Sequence, residues 1–173
     1  MTVPRRLPWL LGISLVLIAA DRASKIWVEQ HIRIGGAIPV IPRLLRISHW
    51  TNDGAAFSLF ADSASPTTVR WVLAGFSLLA ALVVLIALVR LGQRFTLTTV
   101  ALALILAGAL GNVHDRIVYG AVTDFIEVHI FSYHFPDFNV ADSSIVTGAC
   151  LLLLDSLRRK PEEHEAVKAD SST

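Results

Sequence analysis

The chain has 173 residues, of which 54% are hydrophobic and only 17% are charged. A soluble domain usually carries about 25% charged residues, so this composition excludes an ordinary soluble domain and favours a protein embedded in a membrane. The formal net charge of +1 and the absence of a recognition motif argue against a nucleic-acid partner.

The first apolar stretch, residues 7–28, predicts a membrane-spanning helix. Its length is close to the roughly 20 residues that cross about 30 Å of hydrocarbon. The alternative is a cleavable signal peptide, because two arginines precede the apolar run. Against that alternative, the apolar pattern continues to residue 28, and Asp21 and Lys25 are spaced to form an ion pair on one helix face.

The polar segment that follows, residues 29–69, predicts an external loop with its own fold. Glycines and prolines punctuate two short β-type runs, at residues 37–41 and 44–50. We expect a small, partly apolar sheet that lies on the membrane surface.

Three further apolar stretches, residues 71–89, 95–113 and 140–157, predict the remaining membrane spans. Backbone groups in lipid must satisfy their own hydrogen bonds, so each span is expected to be a helix. Residues 1–160 are therefore predicted to form a single membrane-embedded catalytic domain with four transmembrane helices. The charged segment 161–173 predicts a disordered cytoplasmic tail.

Basic residues near the ends of the spans predict the orientation. They precede the first span, fill the link between the second and third, and follow the fourth, so four crossings place all three groups on one side. The positive-inside rule identifies that side as the cytoplasm. The other side also carries basic residues, which reduce the charge difference between the two sides: Arg33, Arg43, Arg46 and Arg70. We expect both termini in the cytoplasm and the loop outside.

Asp142 lies at the start of the last apolar stretch. Asp124 precedes that stretch and is separated from Asp142 by a short aromatic loop. Carboxylates beside hydrocarbon are costly and need partners or a purpose. The loop is too short to cross the membrane, so both are expected at the external surface. If the two side chains lie within hydrogen-bonding range, the pair holds a single proton. Such a pair can activate water against a peptide bond.

Within this pair we assign Asp142 as the base and Asp124 as the acid, with the roles exchanging during turnover. The exposed N–H groups at the start of the fourth helix favour a negative charge at Asp142. The alternative interpretation of Asp142 is a capping box with Asn139, and that of Asp124 is a solvated carboxylate at the edge of a loop.

Polar residues near the ends of the first and third spans are candidates for supporting the pair. Asn112 and Arg116 share a helix face at i,i+4 and can both point toward the aspartates, although Arg116 could simply extend to the interface. Asp21 and Lys25, together with Asp115, are assigned a structural role.

Asn52 and Gly54 lie in a segment of small residues that lets an extended peptide approach the backbone closely. The alternative interpretation is an ordinary turn. The histidines show no H-E-x-x-H spacing, so the sequence predicts no metal site. Cys150 is expected to be a small core residue, and as the single cysteine it excludes an intramolecular disulfide.

With these residues assembled, the chain closely resembles lipoprotein signal peptidase, also called signal peptidase II, a family of aspartic proteases of the bacterial inner membrane. Five ordered motifs carry the resemblance: Asp21-x-x-x-Lys25, Asn52-x-Gly-Ala-Ala-Phe57, Gly111-Asn-x-x-Asp-Arg116, Gly120-x-Val-x-Asp-Phe-Ile126 and Phe138-Asn-x-Ala-Asp142.

The resemblance implies an α-helical polytopic membrane protein, with four transmembrane helices, an external β-cradle and a surface helix in the first external loop. It implies an enzyme that removes signal peptides from prolipoproteins just before a cysteine that carries diacylglycerol. Its partners would be lipidated prolipoproteins, membrane lipids and inhibitors of the globomycin type, and it would need no metal or organic cofactor.

The family's catalytic pair falls on Asp124 and Asp142. Its residues that contact substrate and inhibitor fall on Asn52, Asn112, Arg116 and Asn139.

Three positions depart from the family pattern without touching the aspartates. Arg22 replaces a usual glutamine, His114 a usual aliphatic residue, and Ala107 a frequent glycine.

Two other functions stay open, a small transporter or proton relay and a non-catalytic lipid-binding subunit. A relay should scatter ionisable groups through the depth of the membrane, whereas here they cluster at the outer edge.

Overall fold

The computed structural model describes residues 5–54 and 65–158. Four helices in this part of the chain are long and apolar enough to cross a membrane, as predicted. They are α1 (Leu7–His31), α2 (Pro66–Leu91), α3 (Leu97–Val118) and α4 (Val140–Arg158).

Three of the helices extend beyond the predicted spans at one end of the bundle. In α3 the extension carries Asp115 and Arg116, and in α1 it includes Glu29. Hydropathy marks where lipid ends, whereas backbone hydrogen bonding continues until a cap or a turn stops it. The polar ends of the helices therefore become available to build a site.

Two hydrogen bonds place the predicted basic groups together at the opposite end. The Arg6 N–H donates to the carbonyl of Gly92 at 3.1 Å, which joins the start of α1 to the link between α2 and α3. The Thr98 hydroxyl donates to Asp155 at 2.6 Å, which joins the start of α3 to the end of α4. The bundle thus has a basic end and, across the membrane, a sheet end.

The sheet is antiparallel, with strand order β1-β2-β3-β4. Its strands are β1 (Ala37–Ile41), β2 (Leu45–Asn52), β3 (Val122–Ile130) and β4 (Tyr133–His134). The two predicted strands of the first loop are confirmed.

The short aromatic loop expected between Asp124 and Asp142 is in part a hairpin, because Asp124 lies within β3 and β4 follows. β3 pairs with β2, and Trp50 stands opposite Asp124. The alternation of β-branched residues in 122–130 is typical of a strand. Its pairing partner lies some 70 positions earlier in the chain, which no local pattern reveals.

α3 is the most buried helix and packs against the other three. Its approach to α4 depends on two glycines, Gly108 on α3 and Gly148 on α4, each of which meets the backbone of the other helix. A Cβ at Gly148 would lie 2.7 Å from the carbonyl oxygen of Ala101, and one at Gly108 would collide with that of Ala141. Small residues at a helix interface let two backbones come this close. The close approach brings the end of α3 to the start of α4.

Cys150 corrects one expectation, since its side chain is exposed on α4 and does not lie in the core. A long apolar run predicts a helix in lipid but does not tell which face meets the other helices. The outward faces of the bundle instead carry many large exposed apolar side chains, such as Trp71, Phe76 and Leu153.

Some predictions fall outside the described residues. Residues 55–64, the part of the first external loop left for the expected surface helix, are among them, and so is the tail 161–173.

Candidate active site

Asn139 connects the two predicted catalytic aspartates. Its side-chain Nδ2 donates to Oδ1 of Asp124 at 2.7 Å, and its backbone N–H donates to Oδ2 of Asp142 at 3.2 Å. The Asp142 N–H in turn donates to Oδ1 of Asn139 at 2.9 Å. The last two contacts form a reciprocal capping box at the start of α4. The cap foreseen as an alternative is present, and it positions the aspartates relative to each other.

Two further asparagines occupy the remaining carboxylate oxygens. Asn52 at the end of β2 donates from Nδ2 to Oδ2 of Asp124 at 3.0 Å. Asn112 on α3 donates from Nδ2 to Oδ1 of Asp142 at 2.7 Å. All four oxygens of the pair therefore accept an N–H, from donors that belong to three separate parts of the fold.

Burial distinguishes the two aspartates. Asp124 lies on β3 and is only 3% exposed, so it is not the solvated loop residue of the alternative interpretation. Burial raises the pKa of Asp124 to about 6, and the nearby charge of Asp142 adds to the rise, while hydrogen bonds from Asn52 and Asn139 and the charge of Lys25 oppose it. Asp142 is half-buried. The proton of the pair is therefore held more readily by Asp124 than by an ordinary aspartate.

Gly54 fixes the direction of the Asn52 amide. Its N–H donates to Oδ1 of Asn52 at 2.9 Å, which leaves Nδ2 facing Asp124. Gly54 has φ +93°, and a Cβ there would collide with the side chain of Leu73. A side chain at this position would be strained and would have no room. Direct contact of Gly54 with a substrate stays a prediction.

Arg116 brings a positive charge to the pair from the last turn of α3. Its guanidinium interacts electrostatically with Asp142, Asp124 and Asp115. Nη1 donates to the carbonyl of Asn112 at 3.5 Å, whereas Nε is buried and has no hydrogen-bond partner within the described part of the chain. The exposed part of this half-buried guanidinium offers N–H donors of a kind suited to bind a carbonyl oxygen.

Behind the aspartates, Lys25 is fully buried between two carboxylates. Its Nζ lies 2.7 Å from Oδ2 of Asp21 and 2.6 Å from Oδ2 of Asp115, which confirms the predicted ion pair and extends it to α3. Oδ1 of Asp21 also accepts the Ala141 N–H at 2.9 Å, in the first turn of α4. This cluster joins α1, α3 and α4 directly behind the site.

A second set of contacts, missed by the sequence interpretation, begins at Arg22, one of the departures from the family pattern. Its guanidinium binds Glu29 at 3.2 and 3.0 Å and lies 4.5 Å from the centre of the Tyr119 ring. Glu29 accepts the hydroxyl of Thr123 at 3.0 Å, immediately before Asp124. The strand that carries Asp124 is thereby tied to α1. The spacing of Arg22 and Glu29 at i,i+7 on one helix face was the available signal.

His114, the second departure, lies beside this cluster and is half exposed. Its Nδ1 is 3.4 Å from Oδ1 of Asp115, and its ring meets that of Tyr119 edge-on at 5.8 Å. It contacts the support of the site and not the aspartate pair.

Comparison with known proteins agrees with this arrangement. A family model described as signal peptidase (SPase) II matches residues 13–158. The chain belongs to the signal peptidase II family. It is therefore a membrane-embedded peptidase.

Relatives and solved structures match over nearly the whole length of the chain. A lipoprotein signal peptidase of Pseudomonas putida is 43% identical over 159 residues, which cover 91% of each chain. One of Yersinia pestis (strain Pestoides F) is 38% identical over 160 residues, 92% of each. A solved structure described as a bacterial membrane enzyme superposes with a TM-score of 0.73 at 32% identity, covering 92% of this chain and 99% of the other. These matches confirm the predicted fold class.

The buried lysine yields a first test. Lys25→Met keeps the length of the side chain but removes the buried cation that Asp21 and Asp115 share, so we expect a loss of about 3–5 kcal/mol in the free energy of unfolding. Arg22→Gln, which introduces the residue expected from the family resemblance, removes a pair with the partly exposed Glu29 and a longer contact of 3.8 Å with Asp115, and should cost only about 1 kcal/mol. Unfolding of the two variants in detergent would be compared with that of the unaltered protein. Equal stability of Lys25→Met and the unaltered protein would show that the cluster does not hold the helices together.

Proposed function

We propose that the chain is an aspartic endopeptidase that removes signal peptides from diacylglyceryl-modified prolipoproteins, cutting just before the lipidated cysteine. Membership of the signal peptidase II family supports the substrate class. The observation that carries the mechanism is the contact of Asn139 with both carboxylates, because it holds them where one proton can serve the pair.

In the proposed reaction, Asp124 starts protonated and Asp142 ionised. Asp142 takes a proton from a water molecule, whose oxygen attacks the carbonyl carbon of the scissile bond. Asp124 gives its proton to the carbonyl oxygen, which leaves a neutral tetrahedral diol. Asp142 then passes its proton to the departing amine, the C–N bond breaks, and Asp124 recovers a proton from the diol as the carboxyl product forms. The starting protonation is restored without a cofactor.

The location of the pair suits a lipidated substrate. Asp124 and Asp142 lie at the sheet end of the bundle, beside helix faces that are apolar and exposed. Acyl chains can stay in lipid while the peptide bond reaches the polar pair. Arg116 and Asn112 would hold carbonyl groups of the peptide, and a globomycin-type inhibitor would occupy the same place.

We propose that the sheet end faces the outside of the bacterial inner membrane and that both termini are cytoplasmic. The basic end supports this orientation, since the positive-inside rule places such residues in the cytoplasm. The basic residues of that end in the described part of the chain are Arg5, Arg6, Arg90, Arg94 and Arg158.

The alternative functions fit less well. A proton relay needs ionisable groups along the depth of the membrane. In the described part of α2 they lie only near its two ends, at Arg70 and Arg90, and the buried cluster of α1 and α3 lies at the sheet end. A non-catalytic lipid-binding subunit would not require either carboxylate to ionise. Replacement of the aspartates should therefore leave such a subunit functional but should inactivate a peptidase.

The proposed function predicts that both aspartates are essential. Asp124→Asn and Asp142→Asn should each lower the rate of cleavage of a lipidated prolipoprotein by at least roughly 10²–10⁴-fold, because each removes a proton-transfer group. Asp155→Asn, at the basic end, is the matched control and should cleave normally. Near-normal turnover by either active-site variant, with unfolding temperature unchanged, would rule out the aspartate pair.

The pKa of Asp124 predicts how activity depends on pH. Since the active form carries its proton on Asp124, kcat/KM should fall as pH rises through about 6. Asn52→Ala removes a hydrogen bond that favours the ionised carboxylate, so the pKa of Asp124 should rise and the fall should move to higher pH. Gln93→Ala, at the basic end, should leave the profile in place. A shift to lower pH in Asn52→Ala would contradict the assignment of Asp124 as the acid.

A further inference from the structure

The hairpin of β3 and β4 brings two imidazoles and a carboxylate together on the face of β3 opposite Asp124. Side chains alternate between the two faces of a strand, so Glu127 and His129 share one face while Asp124 lies on the other. The register of the hairpin sets His134 directly opposite His129. Glu127 is buried, His129 is partly buried and His134 is exposed.

The three side chains converge on one point. Nε2 of His129 lies 2.7 Å from Oε1 of Glu127, and Nε2 of His134 lies 3.5 Å from the same oxygen. The two rings are parallel within 2°, with centres 4.7 Å apart. The three ligand atoms all lie within 4.8 Å of one another. Ligands bound to Zn²⁺ at about 2.0–2.2 Å in a tetrahedron are separated by about 3.3–3.6 Å, so small side-chain rotations suffice to bind an ion.

A fourth ligand is available next to them. Oδ1 of Asp137 lies 3.2 Å from Nε2 of His134, and its Oδ2 accepts the hydroxyl of Ser48 at 3.0 Å. Arg46 binds the other oxygen of Glu127, with Nε 3.3 Å from Oε2, and thereby leaves Oε1 for a metal. Two carboxylates against one guanidinium give the group a net negative charge, which favours a cation.

We propose that Glu127, His129 and His134, completed by Asp137, form a binding site for a divalent transition metal, with Zn²⁺ as the best match. Two imidazoles with carboxylates are a typical zinc ligand set. The sequence interpretation excluded a metal because it looked for ligands on a helix, whereas this set is assembled by a hairpin. The site rests on its own geometry and does not depend on the proposed peptidase reaction.

Such an ion would stiffen the neighbourhood of the aspartate pair. It would join β3 to β4 and to the segment before α4, since Asp137 stands two residues before Asn139. We expect the metal to stabilise the protein without taking part in hydrolysis.

The test uses the full chain without a histidine tag, purified in detergent and stripped of metal with a chelator. Zinc affinity would be measured by competition with a chromophoric chelator, and Co²⁺ would report four-coordinate geometry by its visible absorption. We expect one zinc per chain. Loss of a residue that hydrogen-bonds to a metal ligand typically weakens metal binding by roughly 10–100-fold. His129→Asn and His134→Asn each remove a proposed ligand, so each should weaken zinc binding at least as much.

Two more variants sharpen the test. Ser48→Ala, which removes the partner of Asp137, should weaken binding by about 10-fold. His31→Asn alters an exposed histidine on α1 and should bind zinc normally. The proposal is overturned if the unaltered protein binds no zinc, if His134→Asn binds it with unchanged affinity and cobalt spectrum, or if His31→Asn loses it equally. The readouts are zinc affinity and the cobalt spectrum, and neither depends on peptidase activity. Failure of this proposal therefore leaves the proposed function untouched, and failure of the proposed function leaves this proposal untouched.

Discussion

Asn139 contacts both carboxylates of the site, and the arrangement of the other residues follows from that contact. Its amide binds Asp124 and its backbone N–H binds Asp142, so the start of α4 is fixed against β3. Two carboxylates held this close to a common partner disfavour double ionisation. Asn52 and Asn112 satisfy the outer oxygens from β2 and α3. The pair thus exists only when both the sheet and the helix bundle are assembled.

The polar cluster behind the pair explains how charged residues are tolerated at the edge of a membrane. Lys25 is shared by Asp21 and Asp115, and Asp21 also receives an N–H from the first turn of α4. Each buried charge therefore has a partner of opposite charge, which offsets the cost of leaving water. Because the partners come from different helices, the same contacts that satisfy the charges also fix the positions of α1, α3 and α4.

The sequence predicts the helices and the residues of the site better than the contacts between them. Long apolar runs identify α1 to α4, and glycines and prolines delimit β1 and β2. The motifs single out Asp124, Asp142 and their three asparagines. The hydrogen bond from Asn52 to Asp124 joins residues 72 positions apart, and the one from Thr123 to Glu29 joins residues 94 positions apart. No local pattern encodes contacts at such separations. The sequence did not indicate that His129 and His134 lie side by side, because their proximity depends on the register of β3 and β4.

The proposed mechanism requires that the proton of the pair resides on Asp124. Infrared spectroscopy of protein labelled with ¹³C-aspartate follows the protonated carboxyl directly as pH is varied. We expect a carboxylic-acid band that disappears as pH rises, with a midpoint near the pKa of Asp124, about 6, and that is missing from Asp124→Asn. A band that survives in Asp124→Asn, or a loss centred near the ordinary aspartate value of about 3.9, would contradict it.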